Sequence, residues 1–249
     1  YNRLITHIES FDTLFQSAYR RFHSTETALL RIQNDLLHAI DKQKVTALIL
    51  LDLSAAFDTI PHNILIHRLE NWFGVSGAAL QLLSSYLVGR TQSVCINGHQ
   101  SPAELLATGV PQGSVLGPLL FTMYTTPVAH LIQSTQFSYH LYADDTQIYL
   151  SFNSTDALSN LQLLSSTLDN VHAWFSSNKL TLNPSKTEFL IIGTPQQRCK
   201  IVCKILLFGS SDLSISPCAR NLGVMIDSDL SYHQHISKVI QTSYLHIRQ

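Results

Sequence analysis

Apolar residues recur along the first part of the chain at the spacing of an amphipathic helix. Residues 24–40 carry this stripe, and Ser24 or Thr25 can serve as its N-cap. The apolar positions of the stripe are Leu29, Ile32, Leu36 and Ile40. Val45 to Leu51 then forms an uninterrupted apolar run of strand length that stops at Asp52. Such a run predicts a central strand covered on both faces.

The later part of the chain alternates between helical and strand patterns in no regular order. Helices are predicted over residues 62–73 and 78–88, from Ser114 towards Ile132, over residues 155–176 and at the C-terminal end. Strands are predicted over residues 91–97, 137–142, 146–152, 188–192, 200–208 and 222–226. The strands flanking residues 143–145 form a predicted hairpin. This mixed order, without a linker, predicts one continuous α+β domain.

Length and composition are those of a globular protein. The chain has 249 residues, of which 45% are hydrophobic and 13% are charged, so a sizeable core is possible. No apolar run is long enough to cross a bilayer and no signal peptide opens the chain. We therefore expect a soluble intracellular protein, with nucleus and cytoplasm both open, and an undetermined oligomeric state. Because the chain begins at Tyr1 and ends within a helical pattern at Gln249, we expect a fragment of a longer protein.

Charge is distributed unevenly, although the net charge is only -1. Residues 52–177 carry two basic and eight acidic residues, whereas residues 178–249 carry eight basic and four acidic residues. An acidic middle followed by a basic tail fits a metal-binding centre with a periphery that faces nucleic acid. The same distribution also fits many other proteins.

The four cysteines do not form a CxxC pair. Cys199, Cys203 and Cys218, together with His233 and His235, are conceivable zinc ligands. Their spacing matches no common zinc site, so free thiols in a reducing compartment are the favoured interpretation.

Three carboxylates stand where predicted strands end. Asp52 follows the apolar strand, and Asp144 with Asp145 occupies the tip of the predicted hairpin. Like charges this close repel and raise a pKa unless a cation neutralises them, and carboxylate oxygens suit Mg²⁺. Two such ions support an in-line phosphoryl transfer. The alternative is a solvated turn and an ordinary strand cap, and spacing alone does not decide between them.

Three segments resemble successive motifs of reverse transcriptases, and most closely those of non-LTR, LINE-type retrotransposons. They are Leu51–Asp58 (LDLSAAFD), Gly109–Pro118 (GVPQGSVLGP) and Tyr142–Asp145 (YADD). Further agreement is found in Gln16–Arg20, His23–Leu30, Ser85–Leu87 and Asn178–Glu188. The resemblance extends over essentially the whole chain, and the order and spacing of the motifs make it specific.

The resemblance implies a right-hand polymerase with an antiparallel palm sheet and the start of a thumb. Residues 1–44 are expected to form part of the fingers, and residues 45–193 mainly the palm with inserted fingers helices. Residues 194–249 are expected to form the end of the palm and the start of the thumb. The implied activity is RNA-directed DNA synthesis, which takes an RNA template, a DNA primer and deoxynucleoside triphosphates.

The resemblance also implies catalytic roles for particular residues. Asp52, Asp144 and Asp145 are expected to hold two Mg²⁺ ions, with Mn²⁺ as a substitute. Phe57 is expected to block a nucleotide 2′-hydroxyl, the group that distinguishes RNA precursors from DNA precursors. Lys186 is the expected proton donor to the departing pyrophosphate.

Further residues are implied to contact substrates. Gln112, Gly113 and Arg20 are expected at the incoming nucleotide, and Gly109 and Arg90 at the template. Taken singly, these residues fit an ordinary loop and solvated side chains, as Phe57 fits a core aromatic and Lys186 a surface lysine.

The sequence departs from the family pattern at two positions. Ala18 stands where the family usually has Gly, and Pro61, where an acidic residue is frequent, is expected to perturb the start of a helix. Two rival functions stay open: an RNA-dependent RNA polymerase, and a catalytically inactive, transposon-derived fragment that at most binds RNA.

Overall fold

The protein is represented by a computed structural model that describes Thr6 and residues 16–203, 205–209 and 211–248. The helices are α1 (Thr25–Asp41), α2 (His62–Asn71), α3 (Gly77–Leu87), α4 (Gly117–Gln133), α5 (Ala157–Ser177), α6 (Pro195–Arg198) and α7 (His233–Arg248). A short 3₁₀-helix at Ser154–Asp156 leads into α5.

The strands follow the mixed order that the sequence predicts. They are β1 (Val45–Leu51), β2 (Leu53–Ser54), β3 (Thr91–Gln92), β4 (Cys95–Ile96), β5 (His99–Gln100), β6 (Glu104–Leu105), β7 (Ser138–Tyr142), β8 (Asp145–Phe152), β9 (Thr181–Leu182), β10 (Glu188–Ile192), β11 (Ile205–Phe208), β12 (Ser211–Ser214), β13 (Cys218–Asn221) and β14 (Val224–Asp227).

The centre of the fold is an antiparallel sheet in the order β10-β1-β8-β7. Every residue of β1 is buried, which confirms the prediction of a central strand covered on both faces. Ala47 and Ile49 belong to the core that includes α4 and α5, whereas Leu48 and Leu50 pack on the other face with α1 and the β13–β14 hairpin. Alternate residues of a strand point to opposite faces, so a strand between two layers is apolar throughout.

Helix α1 begins where the sequence places its cap. The Ser24 hydroxyl accepts a hydrogen bond from the Thr27 amide, and the Thr27 hydroxyl accepts one from the Ser24 amide. This reciprocal pair satisfies two amides that a helix start otherwise leaves unbonded. Ile32 and Leu36 face the sheet, as the apolar stripe predicts.

Some predicted boundaries were wrong for local reasons. Helix α4 starts at Gly117 rather than Ser114, because the Ser114 hydroxyl accepts from the Gly117 amide and donates to the Pro111 carbonyl. The predicted strand 91–97 is divided into β3 and β4, and Asn97–Gly98 turns the chain with positive φ at both residues.

The C-terminal strands differ more from the prediction. Of the predicted strand 200–208, the structure has only Ile205–Phe208, and Lys204 lies outside the described residues. The predicted strand 222–226 starts at Val224, because Leu222 and Gly223 have positive φ and form the turn of the β13–β14 hairpin. The sequence pattern missed β12 and β13, which are four residues each.

Both departures from the family pattern are accommodated. Ala18 is buried and does not have the positive φ that favours glycine. Pro61 takes the N-cap position of α2 with φ -68°, and the helix begins directly after it, so the expected perturbation was wrong. Across the described residues, none of the helices combines the length and the apolar character that crossing a bilayer requires.

Candidate active site

The register of the central sheet brings the predicted carboxylates to one edge. Leu51, the last residue of β1, is paired with Thr146, so Asp52 follows at the strand end beside Asp145, the first residue of β8. Asp144 occupies the two-residue turn between β7 and β8. The paired strands therefore join Asp52 to Asp144 and Asp145 across more than ninety positions of sequence.

The electrostatics of this edge are unfavourable without a counter-charge. Asp145 is exposed by surface area, but the protein beneath its carboxyl displaces water, and this desolvation is the largest cause that raises its pKa. The negative charges of Asp144 and then Asp52 act in the same direction, and the three causes together raise the pKa to about 6. The Oδ2 atom of Asp52 is shielded from solvent and accepts no hydrogen bond. A shielded carboxylate oxygen among like charges is the donor set that a divalent cation neutralises.

The protein side chains alone do not complete a metal site. Over the described ranges of the chain, no three or more His, Cys, Asp or Glu side chains are grouped so that they could hold a metal ion by themselves. Mg²⁺ in phosphoryl-transfer enzymes takes only one or two carboxylates and completes its shell with water and substrate phosphates. The carboxylate edge fits that pattern of partial coordination.

A tight turn brings Lys186 to the carboxylate edge. The Asn183 amide donates to the Asp52 carbonyl at 2.9 Å, and the Asn183 carbonyl accepts from the Lys186 and Thr187 amides. The Lys186 ammonium nitrogen consequently lies 3.8 Å from Asp52 Oδ2, while most of its side chain stays exposed. Lys186 is therefore beside the carboxylates and accessible to a ligand.

Phe57 lies in the turn that follows β2. Its ring stacks on Phe121 of α4 with centroids 4.6 Å apart, and its carbonyl accepts from the Val110 amide. The ring is half-buried, so one part is fixed in the core and the other part faces outwards. The pairing of β2 with β9 holds this segment next to the carboxylate edge.

Gln112 is oriented by a residue that sequence reasoning did not select. Its side-chain amide nitrogen lies 2.8 and 2.9 Å from the two carboxylate oxygens of Asp58. Asp58 also accepts a hydrogen bond from the Thr108 hydroxyl through its carbonyl. Its place at the end of the Leu51–Asp58 motif was the available signal, but nothing local indicates the partner fifty-four positions away.

Gly109 is required by close packing against Asp58. A Cβ atom at Gly109 would lie 2.9 Å from the Asp58 carbonyl oxygen, and its φ of +90° also favours glycine. Its amide donates to the Ile60 carbonyl, and its carbonyl lies 2.8 Å from His62 Nε2. Gly113 also has positive φ, but open space surrounds it. Packing within the protein is thus sufficient to explain why position 109 is glycine, without any contact to a template.

The two predicted arginines differ in their surroundings. Arg20 is half-buried and contacts the Gln16 carbonyl at 3.5 Å. The preceding residue, Tyr19, lies close to the carboxylate turn. Burial, then the negative charge of Asp144 and then Tyr142, raise the pKa of its hydroxyl. Arg90 stands at the base of the β3–β6 hairpin, and within the described residues no hydrogen bond or ion pair joins its side chain to the carboxylates.

The cysteines make separate local contacts. Cys203 Sγ contacts the Ile205 carbonyl, and Cys218 Sγ contacts Gln234 Oε1. The four thiols are free of disulfides.

The chain is similar in sequence to polymerases of mobile elements. Residues 1–226 match the family profile described as "Reverse transcriptase (RNA-dependent DNA polymerase)". The RNA-directed DNA polymerase from mobile element jockey of Drosophila funebris is 28% identical over 245 residues, covering 96% of this chain and 26% of that protein. The probable RNA-directed DNA polymerase from transposon BS of Drosophila melanogaster is 29% identical over 240 residues, covering 94% of this chain and 26% of that protein. The chain thus spans about a quarter of these relatives.

Solved structures with a similar fold include yeast telomerases. The apo telomerase of Candida tropicalis, truncated from the C-terminal domain, has a TM-score of 0.60 at 13% identity and covers 91% of this chain and 44% of that chain. The telomerase of Candida albicans in complex with a TWJ fragment of telomeric RNA has a TM-score of 0.57 at 12% identity and covers 97% of this chain and 42% of that chain. This likeness concerns the fold alone, and it confirms the predicted polymerase architecture with an antiparallel sheet.

Proposed function

Because the chain belongs to the reverse transcriptase (RNA-dependent DNA polymerase) family, we propose that it is the polymerase core of a LINE-type retrotransposon enzyme. Its substrates are an RNA template, a DNA primer and deoxynucleoside triphosphates. One observation carries the proposal: the Leu51–Thr146 register joins Asp52 to the Asp144–Asp145 hairpin. The telomerase structure that contains telomeric RNA supports an RNA partner.

Asp52, Asp144 and Asp145 are the residues that would hold two Mg²⁺ ions, with Mn²⁺ as a substitute. The solvent-shielded Asp52 Oδ2 and the repulsion among the three carboxylates support this assignment. Bound at this edge, such ions supply charge neutralisation for the attacking and leaving oxygens of an in-line displacement.

The proposed reaction adds one nucleotide to a primer. The primer 3′-hydroxyl loses its proton to solvent water and its oxygen forms a bond to the α-phosphorus, while the bond from the α-phosphorus to the bridging oxygen breaks and pyrophosphate leaves. Lys186, exposed and 3.8 Å from Asp52, donates the proton that the pyrophosphate takes. Most of the rate enhancement comes from orientation and electrostatic stabilisation, because phosphoryl transfer requires little covalent chemistry from the protein.

Three other predicted residues select and hold the nucleotide. Phe57, fixed by its stack on Phe121, excludes a 2′-hydroxyl by its bulk. Gln112, oriented by Asp58, presents its amide from the loop that opens α4. Glycine at position 113 leaves the neighbouring backbone open to the base pair.

Primer extension on an RNA template tests the proposal. We expect the wild-type chain to incorporate deoxynucleotides with Mg²⁺ or Mn²⁺, and Asp144→Asn to reduce the rate at least 100-fold while circular dichroism shows an unchanged fold. Preferential use of ribonucleotides would instead indicate an RNA-dependent RNA polymerase. Extension by Asp144→Asn at the wild-type rate, in a preparation free of other polymerases, would contradict the proposed site. A folded wild-type chain that binds RNA without extension would favour the inactive alternative.

A further inference from the structure

A buried glutamine contacts the turn that carries Asp144. Gln16 is 4% exposed and lies 127 positions before Ala143 in sequence. Its Oε1 accepts hydrogen bonds from the Ala143 amide and from the Ala18 amide, both at 3.0 Å. Its Nε2 donates to the Ala143 carbonyl at 3.4 Å. One side-chain amide thus bonds both backbone polar groups of a single turn residue.

The backbone around Gln16 is fixed to the same hairpin. Gln16 forms a parallel bridge with Leu141, and the Ser17 amide donates to the Leu141 carbonyl at 2.9 Å. The segment therefore lies along the outer edge of β7, and the Gln16 side chain reaches the turn from a backbone that is itself hydrogen-bonded to β7.

The turn is strained and needs an external partner. Ala143 has φ +54°, a left-handed conformation that costs a non-glycine residue roughly 1–2 kcal/mol. Because the turn has only two residues, the polar groups of Ala143 lie beyond the β7–β8 ladder. A primary amide carries a donor and an acceptor on one rigid plane, whereas a carboxylate only accepts and an apolar side chain does neither.

We propose that Gln16 is a positioning residue that fixes the Ala143 peptide and so aims the carboxylates of Asp144 and Asp145 towards Asp52. The catalytic part of this inference rests on the proposed function. Gln16 itself touches no reacting atom: it acts through the turn. Without the side-chain amide, the turn relaxes towards conformations with less strain at Ala143, and the two carboxylates change direction together.

The contact itself can be tested without polymerase activity. Gln16→Met keeps the size of the side chain and removes both hydrogen bonds to Ala143. We expect amide hydrogen exchange at Ala143 to accelerate at least ten-fold in Gln16→Met, whereas Gln16→Glu, which retains the acceptor, keeps part of the protection. The matched control is Tyr149→Phe, which removes a partly buried 2.5 Å hydrogen bond to Asp35 on α1 but leaves the turn intact. Unchanged protection of Ala143 in Gln16→Met would overturn the inference.

The positioning role has two further readouts. We expect Gln16→Met to weaken Mn²⁺ binding to the protein, measured by electron paramagnetic resonance, at least five-fold, and to lower kcat for extension at least ten-fold with unchanged primer–template Kd. Tyr149→Phe should change none of these values. Faster exchange at Ala143 with wild-type Mn²⁺ affinity would overturn the positioning role, even if the wild-type chain extends no primer. A wild-type chain without extension, combined with weaker Mn²⁺ binding in Gln16→Met, would contradict the proposed function and uphold the positioning role.

Discussion

Single side chains at the carboxylate edge are held in arrangements that lower stability but leave them available to a ligand. Asp145 keeps its position although burial and two neighbouring charges oppose its ionisation. Phe57 is only half-buried. A fully buried ring at this position could not contact a ligand. Such compromises are typical of functional sites, since preorganised like charges and exposed aromatic surface lower stability and serve binding.

At Phe57, we expect Phe57→Ala to relax sugar selection. Removal of the ring deletes the bulk that opposes a 2′-hydroxyl, so the ratio of kcat/KM for ribonucleotide to that for deoxynucleotide insertion should rise at least ten-fold. Single-nucleotide insertion on an RNA template measures this ratio. Phe121→Leu, which removes the stacking partner and keeps the ring, is the matched control and should change the ratio less. An unchanged ratio in Phe57→Ala would exclude Phe57 as the sugar-selecting residue.

At His140, we expect a pH-dependent contribution to stability. The ring is buried, and desolvation, then Arg31 and His23, lower its pKa from 6.5 to about 4. Between these values the unfolded chain binds more protons, so stability that is present above pH 6.5 is lost as the pH falls towards 4. The loss from this residue is on the order of 3 kcal/mol.

Urea unfolding at several pH values tests this prediction. His140→Leu should remove the His140 part of the pH dependence, so the unfolding free energy of the variant should fall less steeply between pH 6.5 and 4. Parallel pH curves for the wild type and the variant would show that His140 is not the titrating group.

A buried arginine joins the three helices α2, α4 and α5. Arg68 of α2 donates to the Tyr124 carbonyl of α4 and to Asn178 Oδ1, at the end of α5, at 2.6 Å. Its guanidinium carbon also lies 4.5 Å from the Tyr124 ring centroid and 5.5 Å from that of Trp174. A planar group with several donors can bond two helices and stack on rings at once, which an ammonium cannot.

For this junction, we expect Arg68→Lys to lower the unfolding free energy by about 2 kcal/mol, because one charged hydrogen bond is lost and an acceptor is left buried. Urea unfolding measures the change. His67→Lys, on the exposed side of the same helix, should have little effect. Wild-type stability in Arg68→Lys would contradict the bridging role.

Prediction from sequence was most accurate for long elements with strong periodicity. Helices α1 and α5 and strand β1 have apolar patterns that burial alone explains, and their predicted positions agree with the structure to within two residues. The short strands β12 and β13 have no such pattern, because four residues in a two-stranded hairpin carry too little periodicity. Their position depends on packing against the sheet.

At the scale of the whole molecule, the acidic centre and the C-terminal helix α7 belong to different parts of the fold. The carboxylates lie at the edge of the central sheet, whereas α7 contains no buried residue and packs beside β14. The helix also carries Lys238 and Arg248. This separation permits one surface to hold cations and another to face a nucleic-acid backbone.

We therefore expect removal of residues 233–249 to weaken primer–template binding several-fold while changing the unfolding free energy by less than about 1 kcal/mol. The slope of log affinity against log salt should decrease by roughly 2 at most, because two cationic side chains are removed. Fluorescence anisotropy at several salt concentrations measures both quantities. Unchanged affinity and slope would show that α7 does not contact the duplex.

The sequence by itself determined the central strand, the capped helix α1, the α+β class and the positions of the three carboxylates at strand ends. Apolar periodicity, capping and the order of motifs can all be read along the chain. Only the tertiary structure decided which residues meet. The Leu51–Thr146 register, the pairing of Gln112 with Asp58 and the contact of Gln16 with Ala143 join distant segments. No local pattern encodes such contacts, because each depends on how packed elements orient single hydrogen-bonding groups.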